Sequence, residues 1–101
     1  MDLLPVRYSS DANRDYRKLI KRVRFKWGVR SAQKLDRQIR ACEAQIAVHP
    51  EQYPRAAYAV DVRKCVVTKQ TSLFYEIKAT EILVVAVFDN RQDPETLKQR
   101  S

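Results

Sequence analysis

Residues 63–97, RKCVVTKQTSLFYEIKATEILVVAVFDNRQDPETL, decide the fold. Within them, 82–88 (ILVVAVF) is an unbroken apolar run rich in β-branched side chains, too short for a buried helix and closed by the polar residues Asn90, Arg91, Gln92 and Asp93. Such a run reads as a strand covered on both faces. Just before it, 72–78 (SLFYEIK) places Leu73, Tyr75 and Ile77 on one face with period two, and Ala79, Thr80 and Glu81 supply the connecting turn. Upstream, 60–69 (VDVRKCVVTK) holds two pairs, Val60 with Val62 and Cys65 with Val67, whose phases differ by one residue. A bulge near Arg63 or Lys64 would reconcile them, and a glycine-free hairpin over 69–72 leads into the next strand. The stretch is a meander of three antiparallel strands. Beyond it, Asp93 and Pro94 have the chemistry of an N-cap and first helical residue, with room for one short turn.

Working outward, 3–9 (LLPVRYS) reads as an edge strand, because Pro5 forbids one ladder hydrogen bond. Ser10 or Asp11 offers an N-cap to a helix whose apolar stripe is Tyr16, Leu19, Ile20, Val23 and Trp27, and Tyr16 and Trp27 are expected in the core. Gly28, the only glycine, ends that helix where a positive φ is needed. Ser31 is the next N-cap candidate, followed by Ala32, Leu35, Ile39, Cys42 and Ile46 at a coiled-coil-like spacing until Pro50. So short a connection makes the helices an antiparallel hairpin. Residues 51–59 form the one irregular loop. The order is β-α-α-β-β-β with a short C-terminal turn: an α+β fold in which an N-terminal edge strand and a two-helix hairpin pack with a small antiparallel sheet, as a single domain over residues 1–101.

The chain has 101 residues and a formal net charge of +8, unevenly spread. Residues 1–49 carry 12 Lys/Arg against 5 Asp/Glu (+7), whereas 50–101 carry 8 against 7 (+1). A basic half of this kind attracts polyanions: nucleic acid, a ribosome or an acidic protein segment. No apolar run reaches the length of a membrane span, and MDLLPVRYSS has neither the basic lead nor the apolar core of a secretion signal, so the cytoplasm is the expected location. In that compartment Cys42 and Cys65 are expected as two buried thiols. One histidine, His49, and one glycine exclude a histidine-based triad and a glycine-rich phosphate loop, and no metal or other cofactor is expected. The remaining chemistry is cationic. Arg63, Lys64 and Lys69 lie on or beside the first long strand and Arg91 leaves the last; on the sheet face away from the helices they would together hold phosphate, unless Arg91 is instead paired with Asp89 or Asp93.

With that order in place, the helical hairpin broken at Lys26-Trp27-Gly28, the His49-Pro50 step, VRKCVVTKQTSLFYEI and FDNRQDPETL resemble the RelE/ParE superfamily of type II toxin–antitoxin toxins. The resemblance runs from Pro5 to Leu97. It implies one of two activities: RelE-like members are ribosome-dependent messenger-RNA endoribonucleases, whereas ParE-like members are not nucleases and poison DNA gyrase. Arg91 matches the RelE arginine after the last strand, and Arg63 or Lys64 could stand for the lysines of the preceding strand. Leu97 occupies the place of the RelE tyrosine, and Ser72 that of a second arginine. These two departures favour the gyrase-directed mode, with RNA cleavage as the alternative and a degenerate member that only binds a partner as a third. Lys69, Arg91 and Arg63 are then target-binding candidates. A cognate antitoxin is also implied, with an acidic C-terminal segment meeting the basic first helix at Arg17, Lys21 and Arg24.

Overall fold

A computed structural model describes residues 3–98 and 100. Strand β1 (Val6–Tyr8) leads into α1 (Ser10–Trp27) and α2 (Val29–Val48); β2 (Arg55–Ala56), β3 (Ala59–Val66), β4 (Thr71–Ile77) and β5 (Ile82–Asp89) follow, and a 3₁₀ turn spans Pro94–Leu97. The five strands lie in the order β1-β5-β4-β3-β2. The meander is antiparallel as expected, and β1 takes an edge, but it pairs parallel to β5, so the sheet is mixed. The segment 51–59, expected to be irregular throughout, supplies the two-residue β2.

The helices start earlier than the sequence suggests. Ser9 is the N-cap of α1, its Oγ accepting from the Ala12 N–H at 3.0 Å. Gly28 alone separates the two helices, at φ 97° and ψ 174°. That combination is open only to glycine. Ser31, offered as the second N-cap, sits inside α2 and donates its hydroxyl to the Trp27 carbonyl. A Cβ at Gly28 would meet nothing within 4 Å, so Gly28→Ala suffers from backbone strain alone. Chemical denaturation of that variant should show a loss of about 1–3 kcal/mol, with the native m-value retained.

One face of the sheet buries the helical hairpin. The α2 stripe Ala32, Leu35, Ile39, Cys42 and Ile46 is buried in full, and from Leu35 onward it packs with Ala12, Leu73, Tyr75, Ile82, Val84 and Val87. Each fully buried aliphatic side chain of that stripe contributes roughly 1.5–3 kcal/mol. Trp27 departs from the expected stripe: it is 71% exposed, and with Phe25 at 91% and Val29 at 51% it leaves the hairpin tip bare. Tyr16 does pack with the core and donates its hydroxyl to Asp36, which also accepts from Arg40 Nε at 2.9 Å. The Tyr16 hydroxyl, with Arg40 beside it, holds the Asp36 carboxyl below the usual range.

The opposite face carries a second cluster of Ala56, Val62, Phe74, Ala86, Phe88 and Leu97. The apolar run of β5 is therefore covered on both faces, as read from its sequence. Two features explain how. In β3, Val62 joins this second cluster while Cys65 joins the first, so the two phases of that strand serve two faces. Arg63 to Val66 pair with β4 in continuous register; the expected bulge beside Arg63 is found only where β3 meets β2, between Ala59 and Arg63. Against β4 the register shifts instead in β5, where Phe74 pairs with Ala86 but Tyr75 with Val84, leaving Val85 as the extra residue. A bulge reverses the faces beyond it: Ile82 and Val84 face the helices before it, and Val87 does so after it.

Cys42 of α2 and Cys65 of β3 are joined by a disulfide, where two free thiols were expected. The helix seam and the strand phase separately place each cysteine in the core, but neither reports that the two meet.

Candidate functional site

The expected cationic array does not assemble. Arg63 and Lys64 are successive residues of a regular ladder, paired with Tyr75 and Phe74, and so point to opposite faces. Arg63 lies on the helix side and its Nη1 donates to the carbonyls of Tyr53 at 2.7 Å and Glu51 at 3.2 Å. Together with Tyr75, whose hydroxyl donates to the Pro50 carbonyl at 2.6 Å, it ties down the loop before β2. Lys64 lies on the other face, its Nζ 5.9 Å from the centroid of the Phe74 ring. Lys69 is exposed at the tip of the β3–β4 hairpin, where its carbonyl accepts from Asn90 Nδ2.

Arg91 sits at the exit of β5. Its Nε and Nη2 bond the Asp89 carboxylate at 2.9 and 2.7 Å, and its backbone N–H donates to the same group at 2.9 Å. Of the two readings open from the sequence, the pair with Asp89 is the one found. Those bonds pull the Asp89 carboxyl down to about 2 from its ordinary 3.8. A carboxyl whose folded pKa is depressed stabilises the fold above its unfolded value and loses that contribution as pH falls through the folded one. The stability difference between the native chain and Arg91→Ala should therefore be full above about pH 4 and shrink towards pH 2. Acid titration of the Asp89 carboxyl carbon by NMR, in both proteins, checks it.

The two other positions that the resemblance couples with Arg91 are closed. Ser72 is fully buried, its Oγ without a hydrogen-bond partner among the described residues, and Leu97 is buried against Phe88 and Phe74. The C-terminal turn forms as its sequence suggests: Asp93 caps it by accepting from the Glu95 N–H at 3.0 Å, with Pro94 in its first position.

Arg91 instead belongs to a cleft that sequence reading did not assemble. About 660 Å³ in volume, it runs between α1, the β3–β4 hairpin, the end of β5 and the C-terminal turn. Along the α1 wall stand Lys18, Arg22 and Lys26, each four residues from the next, with Trp27 at the same wall. Arg91, from the exit of β5, and Arg100, which follows the C-terminal turn, line the same cleft. Two carboxylates enter the cleft, and both are paired: Asp89 with Arg91, and Asp15 with Arg100 at 2.6 and 3.0 Å. Asp15 also accepts from the Val87 N–H at 3.2 Å, and Arg100 donates to the Val85 carbonyl at 3.2 Å. This pair thus satisfies the β5 edge beyond the end of β1. Five cations against two carboxylates leave a charge of +3 on Lys18, Arg22 and Lys26, which form no ion pair among the described residues. The one clue in the sequence was the i, i+4, i+8 spacing of these three.

Arg17, Lys21 and Arg24 are exposed on α1 and do not line this cleft. The basic helix therefore presents two separate cationic flanks. No group of three or more potential metal ligands occurs among the described residues, and no helix there is long and apolar enough to cross a membrane.

Comparison with known proteins decides the family. The model of the ParE toxin of the type II toxin–antitoxin system parDE matches residues 6–94. The chain belongs to the ParE toxin family. Among solved structures, this ParE-family toxin is similar to the chromosomal ParDE system from P. aeruginosa at a TM-score of 0.75, with 16% identity over 86% of this chain and 96% of that one. The YoeB dimer from Staphylococcus aureus follows at a TM-score of 0.61 and 13% identity, covering 86% and 97%. HP0894 from Helicobacter pylori matches at 0.57 and 14%, covering 89% and 98%. At these identities the likeness is one of fold. Among curated proteins, none matches the sequence.

Proposed function

We propose that this ParE-family toxin inhibits growth by binding DNA gyrase, without catalysing a reaction of its own, and that a cognate antitoxin neutralises it. The observation that carries the non-catalytic reading is the bidentate Arg91–Asp89 pair. An arginine that stabilises a phosphorane needs its guanidinium donors free and an acid or base beside it. Here two of those donors, Nε and Nη2, face a carboxylate, and the two companion positions that the resemblance implies hold a buried serine and a buried leucine. RNA cleavage remains the competing reading, with Arg91, Arg63 and Lys64 as its catalytic residues, but the opposite facing of Arg63 and Lys64 counts against it.

The antitoxin proposal draws on the parDE family and on the +7 excess of residues 1–49. Arg17, Lys21 and Arg24 are the exposed cations offered to its acidic segment. Expressing the toxin without antitoxin, while following growth, messenger integrity and plasmid supercoiling, tests the main reading. Growth should stop with supercoiling lost and messenger intact; ribosome-bound messenger cut in an Arg91-dependent way would replace it with the nuclease reading. Untouched growth would leave a binding module only.

A further inference from the structure

We propose that the cleft between α1 and the C-terminal turn is a binding site for single-stranded DNA, with successive phosphates on Lys18, Arg22 and Lys26 and a base stacked on Trp27. The inference rests on the reading above only in naming DNA as the nucleic acid. The site itself stands on three observations. First, the cleft carries a net +3: Lys18, Arg22 and Lys26 form no ion pair among the described residues, and although the charge of Arg22 reaches Asp89, both carboxylates of the cleft are already bonded by Arg91 and Arg100.

Second, the three cations recur every four residues along one helix wall, so they climb by about 6 Å at each step, a ladder that an extended strand can follow phosphate by phosphate. An acidic peptide would also be attracted, but it has no use for the third observation. Trp27 is 71% exposed at the same wall, held at the last turn of α1 by the helix backbone and not by the core. An aromatic face beside a cationic groove is how proteins without base-specific contacts take single strands, one ring for each unstacked base. A duplex hides its base faces in the stack and offers Trp27 nothing.

Trp27 is the only tryptophan, so its emission reports the proposed contact directly. Titrating the purified full-length toxin, free of gyrase, with oligothymidylate should quench that emission. The apparent affinity should fall with salt at a log–log slope of about −2, from three phosphate contacts at roughly 0.7 each. Substituting Lys18→Gln, Arg22→Gln and Lys26→Gln together should weaken binding more than tenfold and flatten the slope. Substituting the exposed Arg30, Lys34 and Arg37 of α2 by glutamine removes the same charge elsewhere and should leave the quench in place. Trp27→Leu, followed by anisotropy of a labelled oligonucleotide, should weaken binding about tenfold.

The proposal is overturned if the oligonucleotide neither quenches nor binds, if both triple variants lose binding equally, or if polyglutamate quenches more strongly than DNA. Tighter binding of the matching RNA overturns the choice of DNA. Gyrase takes no part in these measurements, so their failure is distinct from a failure of the toxin to inhibit supercoiling.

Discussion

Asp15→Ala should lower the thermal midpoint of this toxin by roughly 10–20 °C, the largest effect expected from any single polar side chain. Asp15 is three-quarters or more hidden, with 19% of its side chain exposed, and it accepts from both a guanidinium and a strand N–H. Its removal leaves Arg100 without its partner and the Val87 N–H without an acceptor. Losing a partner of a partly buried charged group costs about 2–3 kcal/mol, and for a domain of this size each kcal/mol moves the midpoint by roughly 4–8 °C. Asp15→Asn keeps an acceptor for Val87 and should fall between the two. Thermal unfolding followed by far-ultraviolet circular dichroism separates the three proteins; equal midpoints for Asp15→Asn and the native chain would mean that the charge on Asp15 contributes nothing.

Reduction of the Cys42–Cys65 bridge is expected to rank with it. The bridge spans 23 residues of chain, and loop-closure entropy for that span is worth about 3 kcal/mol. It fastens the long helix α2 to β3, two elements otherwise held only by side-chain packing. Both cysteines are buried, so a reductant reaches the bond through partial opening of the fold. The oxidised chain should be lighter than the reduced one by two hydrogens in intact mass, and its midpoint higher by more than 10 °C. A midpoint that does not respond to reductant, in a chain whose mass does, would show that packing alone carries the seam between α2 and β3.

Much of the fold was legible because its strongest signals are local. The apolar run of β5, the stripe of α2 and the lone glycine between the helices each reflect a period or a backbone requirement, and each appears where its residues say. Periodicity nevertheless reports which side of a helix a residue occupies, and not how far along the helix its covering surface extends. Trp27 is in phase with Leu19, Ile20 and Val23, yet it lies where no described element covers the hairpin tip. Arg63 was misjudged for a related reason: its partners are carbonyls of the loop before β2, and no pattern encodes where such a loop will lie. The cleft needed the most. Lys18, Arg22 and Lys26 meet Arg91 and Arg100 only through the crossing of α1 over the sheet, which depends on how side chains of both surfaces interlock.

The extra residue at Val85 bears on how this chain can be compared with others. Up to Val84 the even-numbered residues of β5 look towards the helices; from Ala86 onward they look away. A relative whose last strand lacks that residue would present, at each aligned position beyond it, the opposite side of the sheet. Matching two such chains letter by letter would then pair residues that never share a surroundings, and Arg91 lies downstream of that point. Equivalence for this arginine has to be judged by superposing backbones, since counting along the chain loses its place at one residue.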